Sequence, residues 1–316
     1  MEFFVGVTDK DWFVFLSERQ PDEVNFWFPS PKQGFAALPP GGPFLFKLHH
    51  PDNYLVGGGF FAQYSRLPLS IAWEAFGQKN GAPDYDSCYQ RIIKYRKGSI
   101  ERDPVIGCVI LINPFFFRES EWVAIPSDWK SNIVRGRKYD DSEPFGAAAW
   151  QEIEARLATE FSDNLPSSRM DVPSHVRETP LRDRYGQPLV IRPRLGQGAF
   201  RILVTEAYQR RCAITGEKTL PVLTAAHIKP YHRSGPHEIG NGLLLRSDLH
   251  LLFDRGLLTV TTDHRVEIST RIKESYGNGK EYYRMHGKTL EVLPVRKTEQ
   301  PDNEYLDWHN RNVFVP

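Results

Sequence analysis

The stretch from Arg211 to Val260 constrains the fold of this 316-residue chain more than any other part of it. Two apolar runs, Cys212–Thr215 and Leu220–Ile228, flank a glycine at position 216 and predict a short hairpin. A polar segment, Pro230–Gly242, follows and contains the glycine and proline breaks that are typical of a loop.

A helix is predicted directly after this loop. Ser247 is a suitable N-cap, and the apolar residues behind it recur at helical spacing: Leu249, Leu252 and Phe253. Gly256 ends the helix, and the chain then continues as a closing strand to Val260. The whole stretch therefore has the order hairpin, loop, helix, strand.

Four polar residues fall at defined places on this frame: His227 at a strand end, Asn241 at the loop exit, and His250 and Asp254 on the helix. The last two are four residues apart, so both project from one helix face and can bind one cation. Each residue alone also has an ordinary explanation. His227 could bond to backbone, Asn241 could serve a turn, and Asp254 could be a helix-end carboxylate, although the helix dipole disfavours that.

Three sequence patterns occur in order here: A-A-H-I-x-P, N-G-L-L-L and L-H-x-L-F-D-x-G. Together they resemble the HNH (ββα-metal) nucleases, which hydrolyse phosphodiester bonds. The resemblance implies that His227 is the general base and that Asn241 fixes the loop and the orientation of His227. It also implies that His250 and Asp254 hold a divalent ion as Lewis acid, so the catalytic set is His227, Asn241 and His250.

The chain departs from many HNH enzymes at two positions. Ala226 occupies the place of a further metal ligand, which leaves two protein ligands and favours a hard, hydrated ion such as Mg²⁺ or Mn²⁺. Cys212 has no C-x-x-C partner, so no structural zinc is predicted.

Residues 1–140 have a β-rich pattern in which Phe3–Val7, Trp12–Leu16 and Val24–Phe28 are short apolar runs. Leu69–Phe76 and Tyr89–Tyr95 are predicted short helices. The segments G-x-F-L-F-K-L and V-G-G-G-F-F, with a following A-W-x-x-F-G run, resemble the PUA superfamily and especially its EVE-like members.

The PUA-like resemblance implies a β-barrel that holds a flipped, modified base such as 5-methylcytosine or 5-hydroxymethylcytosine in an aromatic pocket. The pocket candidates are Trp27, Tyr64, Trp73 and Phe116. For any one of them, a place in the hydrophobic core is the competing explanation.

Residues 141–195 are predicted to be a linker between this reader and a nuclease domain at 196–316. Its first part, Ser142–Phe161, carries an amphipathic helical pattern whose apolar stripe needs a partner. We expect that helix to pack against the nuclease domain and restrain it. Beyond the linker, Gly198–Arg211 is a second predicted helix, and two later strands are predicted, at Val266–Ile272 and Leu290–Val295.

Arginine is concentrated just before the nuclease motif. Between positions 177 and 211 there are eight arginines (177, 182, 184, 192, 194, 201, 210 and 211) and three acidic residues (178, 183 and 206). Such an excess favours phosphate contacts, for which we select Arg192, Arg194, Arg201 and Arg211. A solvated connector would have the same composition.

The bulk composition adds few constraints. A net charge of +1 does not indicate a partner, and no apolar run has membrane length. The chain starts without a signal-peptide pattern, and three widely spaced cysteines favour a reducing cytoplasm. The sequence leaves open whether the protein forms a homodimer.

The predicted fold class is α+β, with an N-terminal PUA-like β-barrel, a helical linker and a C-terminal ββα-metal HNH nuclease domain. The predicted activity is metal-dependent cleavage of double-stranded DNA that carries a modified base, as part of a restriction system. Two alternatives remain: an HNH endonuclease that reads unmodified or phosphorothioate DNA, and an inactive HNH relic that only binds DNA.

Overall fold

The N-terminal half is built on one mixed sheet. The computed structural model describes residues 1–30, 34–96, 101–163 and 195–316. In these ranges seven strands share the sheet: β1 Glu2–Thr8, β2 Glu23–Phe28, β3 Pro43–Leu48, β4 Tyr54–Pro68, β5 Val105–Phe116, β6 Val123–Ala124 and β7 Gly136–Asp140. The order is β2-β5-β4-β3-β1-β7, with β6 also paired to β4. Only β1 and β3 run parallel. Among the described strands, β2 and β7 are the two edges of this order and do not pair with each other. The sheet is therefore open, whereas the sequence predicted a closed β-barrel.

The triple glycine of β4 allows this strand to bend. The β4–β5 register shifts between Gly58 and Phe60, as a bulge requires. A Cβ atom on Gly57 would lie 2.3 Å from the carbonyl oxygen of Phe115, so only glycine fits there without displacing the neighbouring strand.

Four helices accompany the sheet: α1 Lys10–Ser17, α2 Leu69–Phe76, α3 Tyr85–Tyr95 and α4 Pro144–Asp163. The prediction for α2 is confirmed at both ends. The apolar run Trp12–Leu16 was included in the β-rich pattern of residues 1–140, and the structure shows that it is helical instead. Trp12, Phe13 and Leu16 are buried while Val14 is exposed, a helical spacing that so short an apolar run does not reveal.

Helix α4 packs against the N-terminal sheet. Ala149 and Ile153 share a buried cluster with Phe3, Leu55 and Tyr139 of that sheet. The expectation that this helix restrains the nuclease domain by direct packing is therefore wrong. Its stripe residue Phe161 has a side chain outside the described part of the structure.

The C-terminal half contains four strands and five helices within residues 195–316: α5 Gln197–Ala207, β8 Leu223–His227, β9 Gly242–Arg246, α6 Ser247–Asp254, β10 Leu258–Val260, β11 Val266–Ile268, α7 Arg271–Tyr276, α8 Lys280–Tyr283 and α9 Asn303–Asn312. Strands β8 and β9 pair antiparallel, with His227 opposite Gly242. Helix α6 follows β9 directly. No helix of the described residues is long and apolar enough to cross a membrane.

Two local predictions for this half are wrong, and one helix was not predicted. Cys212–Thr215 forms a turn, and the hairpin partner of β8 is β9, whose three leucines are completely buried. Leu290–Val295 forms no strand and contains bends at Glu291 and Val295. Helix α9 was not predicted because most of its residues are polar and only two, Leu306 and His309, are buried.

Helix α5 belongs to both halves. Ala199 and Ile202 are buried with Ala72 and Phe76 of the N-terminal half. Phe200 and its neighbours one and two turns further on, Val204 and Tyr208, are buried in the core of the C-terminal half. The helix is thus the joint through which the two halves pack.

The N-terminal half also caps this helix. The carboxylate of Glu23, which is fully buried, accepts hydrogen bonds from the backbone N–H groups of Gly198 and Ala199, both at 2.8 Å. Lys79 pairs with the same carboxylate at 2.9 Å. A Cβ atom on Gly198 would lie 2.7 Å from the Ala75 carbonyl oxygen, so glycine permits the close approach of α2.

Candidate active site

A cavity of about 740 Å³ opens where the hairpin, α5, α6 and α9 meet. The hairpin contributes Thr224 and His227, and α6 contributes His250 and Asp254. Further lining comes from α5 and α9 through Phe200, Arg201, Trp308 and Asn312. Three of the four polar residues selected from the sequence, His227, His250 and Asp254, therefore border one space.

The imidazole of His227 is held on two sides. Phe200 stacks on its face, with centroids 3.9 Å apart and planes at 13°. Its Nε2 lies 2.9 Å from Nδ1 of His237. Burial, followed by the nearby His237 and His250, lowers the pKa of His227 to about 4. The ring is therefore neutral at pH 7.

Asn241 closes the loop between β8 and β9. Its side chain is fully buried; Oδ1 accepts from the Lys229 N–H at 2.8 Å, and Nδ2 donates to the carbonyls of Lys229 and Pro236, both at 2.9 Å. These bonds tie the loop down next to the strand end that carries His227. Asn241 does not line the cavity.

His250 and Asp254 lie side by side on α6, with Nε2 and Oδ2 3.3 Å apart. The hydroxyl of Thr224 lies 2.7 Å from Nδ1 of His250 and donates to the Leu245 carbonyl at 3.5 Å. That hydroxyl can accept a hydrogen bond from Nδ1–H, which leaves the Nε2 lone pair beside the carboxylate.

This donor pair fits a hard divalent cation that keeps most of its water ligands. One imidazole nitrogen and one carboxylate oxygen share one helix face, and Asp254 is more than half exposed, at 56%. Across the part of the chain that the structure describes, no three or more His, Cys, Asp or Glu side chains form a group that could hold a metal ion.

The arginines selected from the sequence have different surroundings. Arg201 lines the cavity and pairs with Glu74 of the N-terminal half at 3.0 Å. Arg211 is not among the lining residues and lies 3.9 Å from Glu291. Arg192 and Arg194 fall outside the described residues. Arg233, which sequence analysis did not select, is exposed at the cavity.

A second cavity, of about 250 Å³, lies in the N-terminal half, and Trp27 lines it. The indole Nε1 of Trp27 donates to the Asn80 carbonyl at 3.0 Å. The other three aromatic candidates are not among its lining residues. Tyr64 contacts Phe35, Trp73 packs edge-on against Tyr85, and Phe116 is buried against Phe13 and Phe46.

Polar groups also border this cavity. The Tyr95 hydroxyl donates to Asp9 at 2.5 Å, and the ring of Tyr95 stacks with His49 at 6.4 Å. Trp12 and Phe28 add apolar surface. Sequence analysis selected none of these residues, because they come from four separate segments.

Sequence analysis also missed three residues around His227 and His250: Thr224, His237 and Phe200. Phe200 was assigned only to a helical stripe. His237 lies in a G-P-H loop segment, where a histidine ten residues after the predicted base was the one available signal.

Comparison with known families bears on this hairpin and helix. Residues 212–261 match the family model HNH_2, described as HNH endonuclease. The matched segment begins at Cys212 and contains β8, the loop with Asn241, β9, α6 and β10. This part of the chain is an HNH endonuclease domain, and the predicted enzyme class is confirmed.

Solved structures give weaker likenesses. An ASCH protein from Zymomonas mobilis aligns with a TM-score of 0.34 and 8% identity, over 48% of this chain and 94% of that one. A point mutant of that ASCH protein aligns at 0.33 and 8%, over 50% and 96%. The modification-dependent TagI restriction endonuclease aligns at 0.26 and 14%, over 86% and 62%. No curated protein matches the chain.

Proposed function

We propose that the protein is a metal-dependent endonuclease that cleaves double-stranded DNA carrying a modified base. One observation carries the proposal: His227, at the end of β8, borders the same cavity as the His250–Asp254 pair of α6. A neutral imidazole opposite a cation site is what hydrolysis of a phosphodiester requires.

His227 acts as general base. Its neutral ring takes a proton from a water molecule; the resulting hydroxide attacks phosphorus, and the bond to the 3′ oxygen breaks. A pKa of about 4 makes the free ring a weak base, but a bound phosphate adds negative charge and raises that pKa towards the working pH. Asn241 keeps the strand end and loop in place during this step.

His250 and Asp254 would hold the divalent ion, for which Mg²⁺ and Mn²⁺ are the proposed candidates. The ion supplies Lewis-acid stabilisation of charge at the scissile phosphate when it is bound. The chain itself contributes the orientation of the His250 ring through Thr224.

Phosphate contacts are assigned to Arg192, Arg194, Arg201 and Arg211. Arg201 has the strongest structural support because it lines the cavity. Its partner Glu74 competes for the same guanidinium, so DNA binding would exchange one ion pair for another.

The modified base is assigned to the N-terminal cavity. A flipped base needs a stacking surface and hydrogen-bonding groups at its polar edge. Trp27 offers the former and Asp9 and Tyr95 the latter, while the apolar wall accommodates an added methyl or hydroxymethyl group. The proposed units are a reader at 1–140, a linker at 141–195 and the nuclease at 196–316, with Tyr64, Trp73 and Phe116 as further pocket candidates.

The test compares wild-type protein with His227→Ala on plasmid DNA, with and without magnesium. Loss of the base lowers the cleavage rate by about 10²–10⁴-fold and leaves DNA affinity unchanged. His50→Ala is the matched control, because this imidazole is exposed and borders neither cavity. Residual His227→Ala activity within about tenfold of wild type would remove His227 from the role.

A further inference from the structure

We propose that His237 is a positioning residue for the cleavage reaction: it holds Nε2 of His227, so that Nδ1 is the nitrogen that takes the proton from water. The inference rests on the proposed role of His227 as general base. It adds a residue to the site that neither the HNH pattern nor the cavity lining identifies.

The contact itself is a hydrogen bond between two rings. Nε2 of His227 and Nδ1 of His237 are 2.9 Å apart, which is an ordinary hydrogen-bond length. Within the described residues, Nδ1 of His227 has no hydrogen-bond partner from the protein. Nε2 of His227 is therefore the nitrogen that bonds to His237, and Nδ1 is the nitrogen left for a water molecule.

Both rings are clamped in place by aromatic neighbours. Phe200 covers one face of His227, and the ring of His237 meets His227 edge-on, with centroids 4.9 Å apart and planes at 61°. Tyr231 stacks on His237 at 4.6 Å and 11°. A tilt of the His227 ring out of its plane would break the stack with Phe200, and a half-turn flip within that plane would replace Nε2 by Cε1 and break the bond to His237.

The pairing selects a tautomer of His227. If Nε2–H donates to Nδ1 of His237, the lone pair of His227 is on Nδ1, as a base requires. His237 then carries its proton on the far nitrogen, Nε2. Asp22 and Glu23 of the N-terminal half favour a proton on this ring, Lys79 opposes it, and burial keeps its pKa below the usual value.

The same bond favours the transition state over the ground state. With His237 neutral, its Nδ1 accepts from Nε2–H of His227. Once His227 has taken the proton from water, this donor belongs to a cation, and charge-assisted hydrogen bonds are roughly twice as strong as neutral ones. Only a protonated His237 opposes that charge, and in this sense it lowers the pKa of His227. A contact that strengthens as the proton moves raises kcat without changing DNA affinity.

Three variants test this role. His237→Phe keeps an aromatic ring against Tyr231 but has no acceptor, and we expect kcat to fall about 10–100-fold with KM unchanged. His237→Asn places an amide oxygen near the former Nδ1 and restores most of the loss. In a His227→Ala background, His237→Phe lowers kcat no further, because the effects of mutating residues that act as a unit are not additive.

Three kinetic results would overturn the proposal. Equal losses in the wild-type and His227→Ala backgrounds would show a role independent of the base. An Asn variant no better than the Phe variant would show that the acceptor is irrelevant. An effect confined to KM would make His237 a DNA contact.

The closing experiment does not depend on activity. ¹⁵N NMR of histidine-labelled full-length protein reports which nitrogen of His227 is protonated, with His227→Ala used to assign the signals. We expect Nε2 protonated and Nδ1 unprotonated in the wild type, and a mixture of tautomers in His237→Phe. Nδ1 protonated in the wild type, or the same pattern in both proteins, would contradict the proposal. A protein with the expected tautomer but no cleavage would refute the nuclease function instead.

Discussion

Phe200 and His227 are stacked face to face, with ring centroids 3.9 Å apart, although one is on the helix that joins the two halves and the other at the end of the nuclease hairpin. The residue before Phe200, Ala199, donates its N–H to Glu23 of the N-terminal sheet. The position of the proposed base is therefore linked to the N-terminal half through one helical turn.

The first prediction concerns this link. Glu23→Gln replaces one of two acceptors at the start of α5 by a donor, and should lower the free energy of unfolding by about 1–3 kcal/mol and slow cleavage. Asp22→Asn is the matched control, because Asp22 is 62% exposed and pairs with the same Lys79. Urea unfolding and cleavage rates measure both effects. Equal unfolding free energies and equal cleavage rates for the two variants would show that the hydrogen bonds from Glu23 to α5 contribute to neither property.

The second prediction concerns the cation site. Thr224→Val removes the group that orients His250, and we expect the metal concentration for half-maximal cleavage to rise about 10–100-fold. Asp254→Ala should be rescued in part by added metal, whereas Asp263→Ala, remote from the cavity, should match wild type. A Thr224→Val variant with unchanged metal response would leave the hydroxyl without this role.

The third prediction concerns pH. His227 is a base only when neutral, so kcat/KM should be level near neutral pH and fall as pH decreases through about 4, well below the usual 6.5. Initial rates at saturating metal measure this limb. An acid limb at 6.5 would contradict the buried environment of His227.

Stability must be followed over the same pH range. Burial lowers the pKa of His309 to about 4 as well. The unfolded chain therefore binds more protons than the folded one below about 6.5, and stability decreases from there as pH falls towards 4. Thermal unfolding measured at each pH distinguishes a rate that falls because the protein unfolds from a rate that falls because His227 is protonated.

The fourth prediction concerns the reader cavity. Trp27→Phe reduces the stacking surface and removes the bond to Asn80, and should reduce cleavage of modified DNA while cleavage of unmodified DNA stays the same. Trp73→Phe is the comparison, since Trp73 does not line this cavity. If Trp73→Phe lowers the ratio of the two cleavage rates, modified to unmodified DNA, and Trp27→Phe does not, the modified base binds elsewhere.

The nuclease motif could be predicted from the sequence because its polar residues occur at a characteristic spacing. His250 and Asp254 are one helical turn apart, and their proximity follows from helix geometry. The partners of His227 could not be found in this way. Phe200 and His237 reach it through tertiary packing, and nothing in the local pattern of either residue indicates the other.

The errors in fold prediction have a similar origin. The three leucines of β9 were quoted only as part of a motif and were not predicted to form a strand, since their burial depends on α5 packing over the hairpin. Helix α4 was given the wrong partner, because an apolar stripe shows that a helix is covered but not by what.

Competition between two matched plasmids in one reaction tests the central claim most directly. One plasmid carries 5-methylcytosine or 5-hydroxymethylcytosine, the other has the same sequence unmodified, and both are followed in magnesium and in excess EDTA. We predict that the modified plasmid is linearised at least about tenfold faster, the factor that about 1.4 kcal/mol of base recognition supplies. We also predict that neither plasmid is cut in EDTA, and that His227→Ala cuts both at least about 10²-fold more slowly than the wild type. Equal cutting of both plasmids, or cutting by the variant at the wild-type rate, would contradict the account.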